Sequence, residues 1–379
     1  MIFDATNADV VKTVIPDGLT VKIFETRPVK INLNLMIFFR FILSLNHFSF
    51  NFILLSKKSL FYKIFWQLLC IYIGAYLKSL NPKAIITSID NCCKFAWLSK
   101  NLNNIPCIGI QNGFRLTYGA DNKSSYHCNH LFCFGKREIK VYPKLDYKVD
   151  HFYPFGSLSL SNNFCSELCE IESIYDLLIV SCWRGNIGYQ QDVVDSMNGM
   201  QVMDKLLAKY LRDKDLKVAV ILRSERNSGC WIMPEIGMSE EEYYKSTYGD
   251  LVEIIDVNFS EQNVYPTMQK SNALIAGFST TCLVEAFSFG KKVLYANFCG
   301  TNKYHLDFAK EILFEGSEND KKSFFDRIDT LLNQSSEEYL SSTQTVNNYY
   351  VRDPRISKTA SNIKEKISKI VNHSSLSSF

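Results

Sequence analysis

Residues 271–295, SNALIAGFSTTCLVEAFSFGKKVLY, concentrate the side chains best suited to holding a ligand. An apolar run at 273–276 leads into the hydroxyl-rich turn Ser279-Thr280-Thr281, then an apolar stretch to Phe289, Gly290, and a second apolar run at 292–296. This order reads as strand, turn, short helix, stop and strand. The turn puts Ser279 and Thr280 at a helix N-terminus, where free backbone N–H groups and the helix dipole favour an anion. Glu285, about one helical turn in, could reach the hydroxyls of a bound ribose. A plainer account stays open: Ser279 or Thr280 as N-cap and Glu285 as a surface residue.

Similar alternation runs through the whole chain. Residues 2–4, 20–25, 84–89, 106–111, 131–134 and 152–155 read as strands in the first half, with a helix at 92–102. In the second half 176–181, 217–222, 251–255, 273–276 and 292–296 read as strands, with helices at 202–211 and 281–289. Short apolar strands separated by helices argue an α/β fold whose parallel sheets are covered on both faces. The Ser- and Asn-rich stretch 157–172 reads as a linker. The expected division is a domain over 1–157, a second over 174–350, and a C-terminal helix with a polar tail over 351–379. Two domains of similar size facing a cleft are the expected architecture.

Composition bounds the function. Of 379 residues, 46% are hydrophobic, 13% aromatic and 21% charged, which describes a globular chain with room for two cores. A net charge of +3 is too small to advertise nucleic-acid binding. No secretory leader is recognisable at Met1-Ile2-Phe3-Asp4, and most of the 12 cysteines sit in apolar runs. Both features point to a cytoplasmic, reducing location. Cys128, Cys133, Cys165 and Cys169 lack the paired spacing of common zinc modules. A phosphate-binding loop, a Gly-x-Ser-x-Gly elbow and a dinucleotide fingerprint are all missing.

The average charge conceals one uneven region. From Thr26 to Ile89 no acidic residue occurs, while Arg27, Lys30, Arg40, Lys57, Lys58, Lys63, Lys78 and Lys83 alternate with many aromatics. Over residues 30–80 this suits an anionic membrane surface. Residues 64–77 are uncharged but too short to span a bilayer. Two buried helices with snorkelling lysines are the alternative.

Residues 271–295 resemble the donor half of GT-B glycosyltransferases, especially bacterial surface-polysaccharide enzymes related to Kdo, sialic acid and polyol-phosphate transferases. Ile85-Ile86-Thr87-Ser88-Ile89-Asp90-Asn91 and Ile108-Gly109-Ile110-Gln111-Asn112-Gly113-Phe114-Arg115 resemble paired strand-end motifs of surface-carbohydrate transferases. Phe134-Gly135 and Phe155-Gly156-Ser157 add to the likeness, which spans residues 84–297 and leaves 30–80 unmatched. It implies two Rossmann-like domains, the first binding the acceptor and the second the nucleotide.

On that resemblance, Ser279, Thr280 and Glu285 hold the nucleotide, helped by Ser181 and Arg184 after the first strand of the second domain and by Arg223 at the end of 218–222. Related families carry a His-Pro pair near the last position, where this chain has Leu222-Arg223-Ser224-Glu225. Arg223 also fits a plain salt bridge with Glu225 or Glu253. Asp90 is the candidate base, or a residue fixing an acceptor hydroxyl, or a cap of the helix that follows. Glu25 and Asp121 stand in reserve. Asn91, Gln111, Asn112, Gly113 and Arg115 shape the acceptor side. No metal and no cofactor beyond the donor are implied, since Asp213-Lys214-Asp215 lies in a charged turn. The expected activity moves a sugar, CMP-linked nonulosonic acid or Kdo-like, onto a growing glycan or lipid-linked glycan of a capsule or lipopolysaccharide. A CDP-polyol phosphotransferase and a non-catalytic glycan-binding scaffold are the alternatives.

Overall fold

The computed structural model describes residues 1–26, 34–47, 59–102, 104–114, 126–145, 147–169, 172–183, 191–223, 237–256, 264–277, 280–299, 309–346 and 348–376. The chain forms two compact units: Met1–Asn162 with Ser357–Phe379, and Asn163–Ile356. Each is built on a six-stranded sheet in which every neighbouring pair is parallel.

In the first unit the strands are β1 (Ile2–Phe3), β2 (Ile23–Phe24), β3 (Ile85–Thr87), β4 (Cys107–Ile110), β5 (His127–Cys133) and β6 (Lys148–Pro154). They lie in the order β2-β1-β3-β4-β5-β6. Consecutive residues point to opposite faces, and both faces are buried. Ile2, Ile86, Ile108 and Phe132 pack on one face, and Phe3, Ile85, Cys107 and Leu131 on the other. That two-sided burial is why these strands read as continuous apolar runs. The second face is covered by the helices Leu60–Leu80 and Cys93–Asn101, through Ile73, Leu77, Phe95 and Leu98.

The first face is covered by the last helix, Thr359–Leu376. Its Ile363, Ile367, Ile370 and Val371 recur every three or four residues and enter this core. Thr359 donates to the Phe155 carbonyl at 2.7 Å, and Lys364 meets Asp17 at 2.9 Å. The sequence sets 351–379 apart as a tail, whereas the contacts return its helix to the first unit. A helical period shows that a face must be buried, and only tertiary contact selects the sheet that buries it.

The second unit carries β7 (Tyr175–Val180), β8 (Val218–Ile221), β9 (Glu253–Ile255), β10 (Ser271–Ala276), β11 (Lys292–Asn297) and β12 (Leu313–Glu315). Their order is β12-β11-β10-β7-β8-β9. The chain builds outward from β7 through β8 to β9, then crosses to the other side of β7 for β10, β11 and β12. This is the doubly wound pattern, and the reversal falls between β7 and β10. Helix Gln191–Leu211 sits very close to the ends of the strands after that crossing. A Cβ added at Gly199 would lie 2.6 Å from the Cys299 sulfur, and one at Gly277 would lie 3.0 Å from the Met200 Cα. Glycine permits both approaches, and any side chain at position 199 would force the neighbouring backbone to shift. The same helix buries Asp204, which accepts the Tyr243 and Tyr248 hydroxyls at 2.9 and 2.7 Å.

Candidate functional site

Ligands of open parallel sheets bind beyond the carboxyl ends of the strands, at the point where strand order reverses. In the second unit that point lies between β7 and β10, so it is bordered by Ser181-Cys182-Trp183 after β7 and by Gly277 after β10. Thr280 occupies the N-cap of helix Thr281–Ser288 in extended conformation, with no side-chain bond to the helix backbone. Its hydroxyl meets the Cys282 thiol, whose pKa burial raises to about 12, with Glu285 adding to the rise. Glu285 is buried, not a surface residue, and accepts the Tyr265 hydroxyl at 3.4 Å.

The neighbouring end of β7 is held by a residue that the sequence reading did not single out. Glu240, buried in the first turn of helix Glu240–Tyr248, accepts the Ser181 hydroxyl and, at 2.7 Å, the Arg223 backbone N–H. Ser181 also receives the Trp183 N–H at 3.2 Å. The Arg223 guanidinium donates from Nη1 to the Trp183 carbonyl at 2.6 Å. One glutamate therefore ties the ends of β7 and β8 together. Glu253, a partner that the sequence offers for Arg223, instead takes the Tyr175 hydroxyl at 3.0 Å. The findable signal for Glu240 is the box Ser239-x-x-Glu242, whose reciprocal bonds open this helix.

In the first unit the order reverses between β1 and β3. Asp4 follows β1 in the left-handed region, at φ 76°, a conformation that Asp tolerates better than most residues. Its carboxylate accepts the Thr6 N–H at 3.0 Å, the Thr6 hydroxyl at 2.7 Å and the Thr26 hydroxyl. Ser88, after β3, donates to the Thr6 carbonyl at 3.0 Å.

Asp90 is buried two residues further on, and its Oδ1 accepts the Asn112 N–H at 3.4 Å. The helix that follows begins at an N-cap of Cys92, whose own side chain makes no capping bond. Gln111 bridges β4 and β5: its Nε2 donates to the Gly113 carbonyl at 3.0 Å and to Glu138 at 3.2 Å, and its oxygen accepts the Phe134 N–H at 2.9 Å. Glu138, another residue that the sequence reading passed over, is fully buried and also accepts the Gly135 N–H at 3.3 Å. Burial pushes its carboxyl up to about 7, against the opposing pull of Arg137. The buried Arg137 lies 4.3 Å from the centre of the Phe114 ring.

The sequence-derived residues thus divide by unit. Asp90, Gln111, Asn112 and Gly113 meet at the ends of β3 and β4, with Asn91 and Asn112 exposed. Ser181 and Arg223 meet at the ends of β7 and β8, and Thr280 and Glu285 follow β10. Arg115, Asp121, Arg184 and Ser279 lie outside the described residues, and parts of 30–80 do so too. Among the described residues no group of three or more His, Cys, Asp or Glu side chains is arranged to hold a metal ion. Cys128 and Cys133 are buried in β5, where they pack as small apolar groups.

No family model matches the chain, and neither does any curated protein. Among solved structures, a UDP-forming α,α-trehalose-phosphate synthase from Burkholderia xenovorans matches with a TM-score of 0.51 at 10% identity, over 99% of this chain and 98% of that one. The trehalose-6-phosphate synthase OtsA matches with a TM-score of 0.50 at 11% identity, over 96% and 92% of the two chains. The likeness is one of fold: this chain has the GT-B type of α/β fold, with two six-stranded parallel sheets.

Proposed function

We propose that this chain transfers a sugar from a nucleotide donor to a hydroxyl of a growing bacterial surface glycan, free or lipid-linked, at the inner face of the membrane. The observation that carries this reading is the crossing between β7 and β10. There the helix Thr281–Ser288, with Thr280 at its N-cap and the buried Glu285 within it, follows the strand β10. In this reading Ser279, Thr280 and the backbone of that turn hold phosphate, Glu285 holds ribose, and Arg184 and Arg223 add positive charge. Ser181 acts through Glu240 by fixing the Trp183 backbone.

In the reaction, the acceptor hydroxyl gives its proton to the Asp90 carboxylate as its oxygen bonds to the anomeric carbon. The bond from that carbon to the phosphate oxygen breaks, and its electron pair leaves with the nucleotide. Helix N-terminal N–H groups and arginines, rather than a metal, then stabilise the leaving phosphate. Asn91, Gln111, Asn112, Gly113 and Arg115 shape the acceptor side.

The motif resemblance favours a CMP-linked nonulosonic acid or Kdo-like donor. A UDP-linked donor is the second reading, favoured by the structural neighbour described as UDP-forming. A thermal-shift panel with CMP, CDP, UMP, UDP, GDP and a non-nucleotide control tests both. A ligand that binds only the folded state raises its melting temperature. A shift with CMP alone supports the first donor, and one with UDP supports the second. Folded protein that shifts with no nucleotide overturns the transferase reading in favour of a non-catalytic scaffold.

A further inference from the structure

Outside these strand ends, the first unit presents an apolar surface. Helix Leu35–Leu43, LMIFFRFIL, buries only Ile37. Its Leu35, Met36, Phe38, Phe39, Ile42 and Leu43 are exposed, with Leu43 at 77%. The helix packs against Leu60–Leu80, whose first turns expose Leu60, Phe61, Tyr62 and Phe65, with Phe61 at 81%. A soluble monomer rarely leaves so many large apolar side chains in water.

By length and composition the 21-residue helix Leu60–Leu80 could cross a membrane, although its uncharged stretch alone is shorter. Its packing forbids that. Cys70, Ile71, Ile73, Ala75 and Leu77 are fully buried, and a Cβ at Gly74 would touch the Trp97 ring at 3.4 Å. Drawing this half into lipid would strip the core face that Phe95 and Leu98 share with it. Only the start of the helix is free to meet a membrane.

The charge around this surface selects the occupant. Lys63 and Lys78 lie on the second helix and Arg40, which donates to the Lys78 carbonyl, on the first, and no acidic residue occurs between Thr26 and Asp90. We infer that the two helices dock in the plane of an anionic phospholipid surface, their aromatic and aliphatic side chains entering at headgroup depth and their cations meeting lipid phosphates. This goes beyond sugar transfer and stands on the helices alone.

The test is co-sedimentation of the full chain with phosphatidylcholine vesicles with and without phosphatidylglycerol, at low and high salt. Binding is expected only to the anionic vesicles, weakening with salt. The triple variant Phe38→Ser, Phe39→Ser, Phe61→Ser should lose it while keeping the wild-type melting temperature, because all three side chains are exposed. Lys63→Gln should weaken it about fivefold. A Trp placed by Phe61→Trp should be quenched by lipids brominated near the headgroup. Absence of binding to anionic vesicles at low salt overturns the inference, as does a triple variant that binds like wild type. So does a dimer in sedimentation equilibrium that the triple variant dissolves, since the face would then be covered by a second copy. The nucleotide panel is run on the same variants, so loss of membrane docking and loss of the donor reading are told apart.

Discussion

In the first unit Glu138 secures the end of β4 through the Gln111 amide and the end of β5 through that amide and the Gly135 N–H, and stands next to the buried Arg137. In the second, Glu240 secures the ends of β7 and β8 directly, taking the Ser181 hydroxyl and the Arg223 N–H on one oxygen. The reversal points differ as well. Between β1 and β3 the space is filled by bonds among Asp4, Thr6, Thr26 and Ser88. Beside β7, the end of β10 carries Gly277 packed on Met200 and leads into a helix whose N-cap side chain does not cap it. A sheet end consumed by internal bonds is suited to positioning a reacting group. One that delivers a helix N-terminus is suited to holding an anion. On the proposed function, this contrast corresponds to chemistry in the first unit and donor binding in the second.

The largest effect that would test this division is on turnover. Asp90→Asn keeps the shape of the side chain and an acceptor for the Asn112 N–H, but it cannot take a proton. Transfer should fall by ~10²–10⁴-fold, the usual range for a lost general base, while the nucleotide thermal shift stays as in wild type. Retained turnover would reduce Asp90 to a brace for the end of β4. A nucleotide shift lost together with turnover would mean that the two units do not divide the work.

Next in size is Glu240→Ala. It strands the buried Ser181 hydroxyl and the Arg223 N–H, at roughly 1–3 kcal/mol for each unpaired group. Urea denaturation should show a stability loss of that order. In the protein that remains folded, the nucleotide shift should shrink, because Trp183 and Arg223 lose their anchor. A stability loss with an unchanged shift would separate this glutamate from donor binding and weaken the parallel with Glu138.

What the sequence reveals follows the same physical line. Strands buried on both faces announce themselves as apolar runs, so 84–89 and 273–276 mark β3 and β10 to within a residue or two. The three-residue edge strand β12, Leu313–Glu315, offers only the short run Ile312-Leu313-Phe314 between glutamates and passes unnoticed. Asp90, Ser181 and Thr280 are visible because each stands just beyond an apolar strand. Glu138 and Glu240 are not, because each lies at a helix start and acts on residues 27 and 59 positions away. A carboxylate at a helix start resembles any favourable first-turn charge until the fold reveals what it binds.

The smallest predicted effect tests the first unit's glutamate by pH. Burial raises the Glu138 carboxyl to about 7, so the folded state holds its proton more tightly than the unfolded chain does. Such a group stabilises fully below the ordinary carboxylate range, and its contribution is lost as pH rises to about 7. Glu138→Gln removes the titration but keeps an oxygen for the Gln111 amide and an amide for neighbouring acceptors. At about pH 4 the variant should be less stable than wild type by ~1 kcal/mol, the worth of one imperfectly replaced buried bond. By about pH 8 the difference should vanish or reverse, because the wild type alone then carries a buried charge. Melting temperatures measured across that interval give the slope for each protein. Parallel slopes would show that Arg137 keeps Glu138 ionised throughout. The β4–β5 clasp would then be a buried ion pair, unlike the hydroxyl and backbone bonds that Glu240 accepts in the second unit.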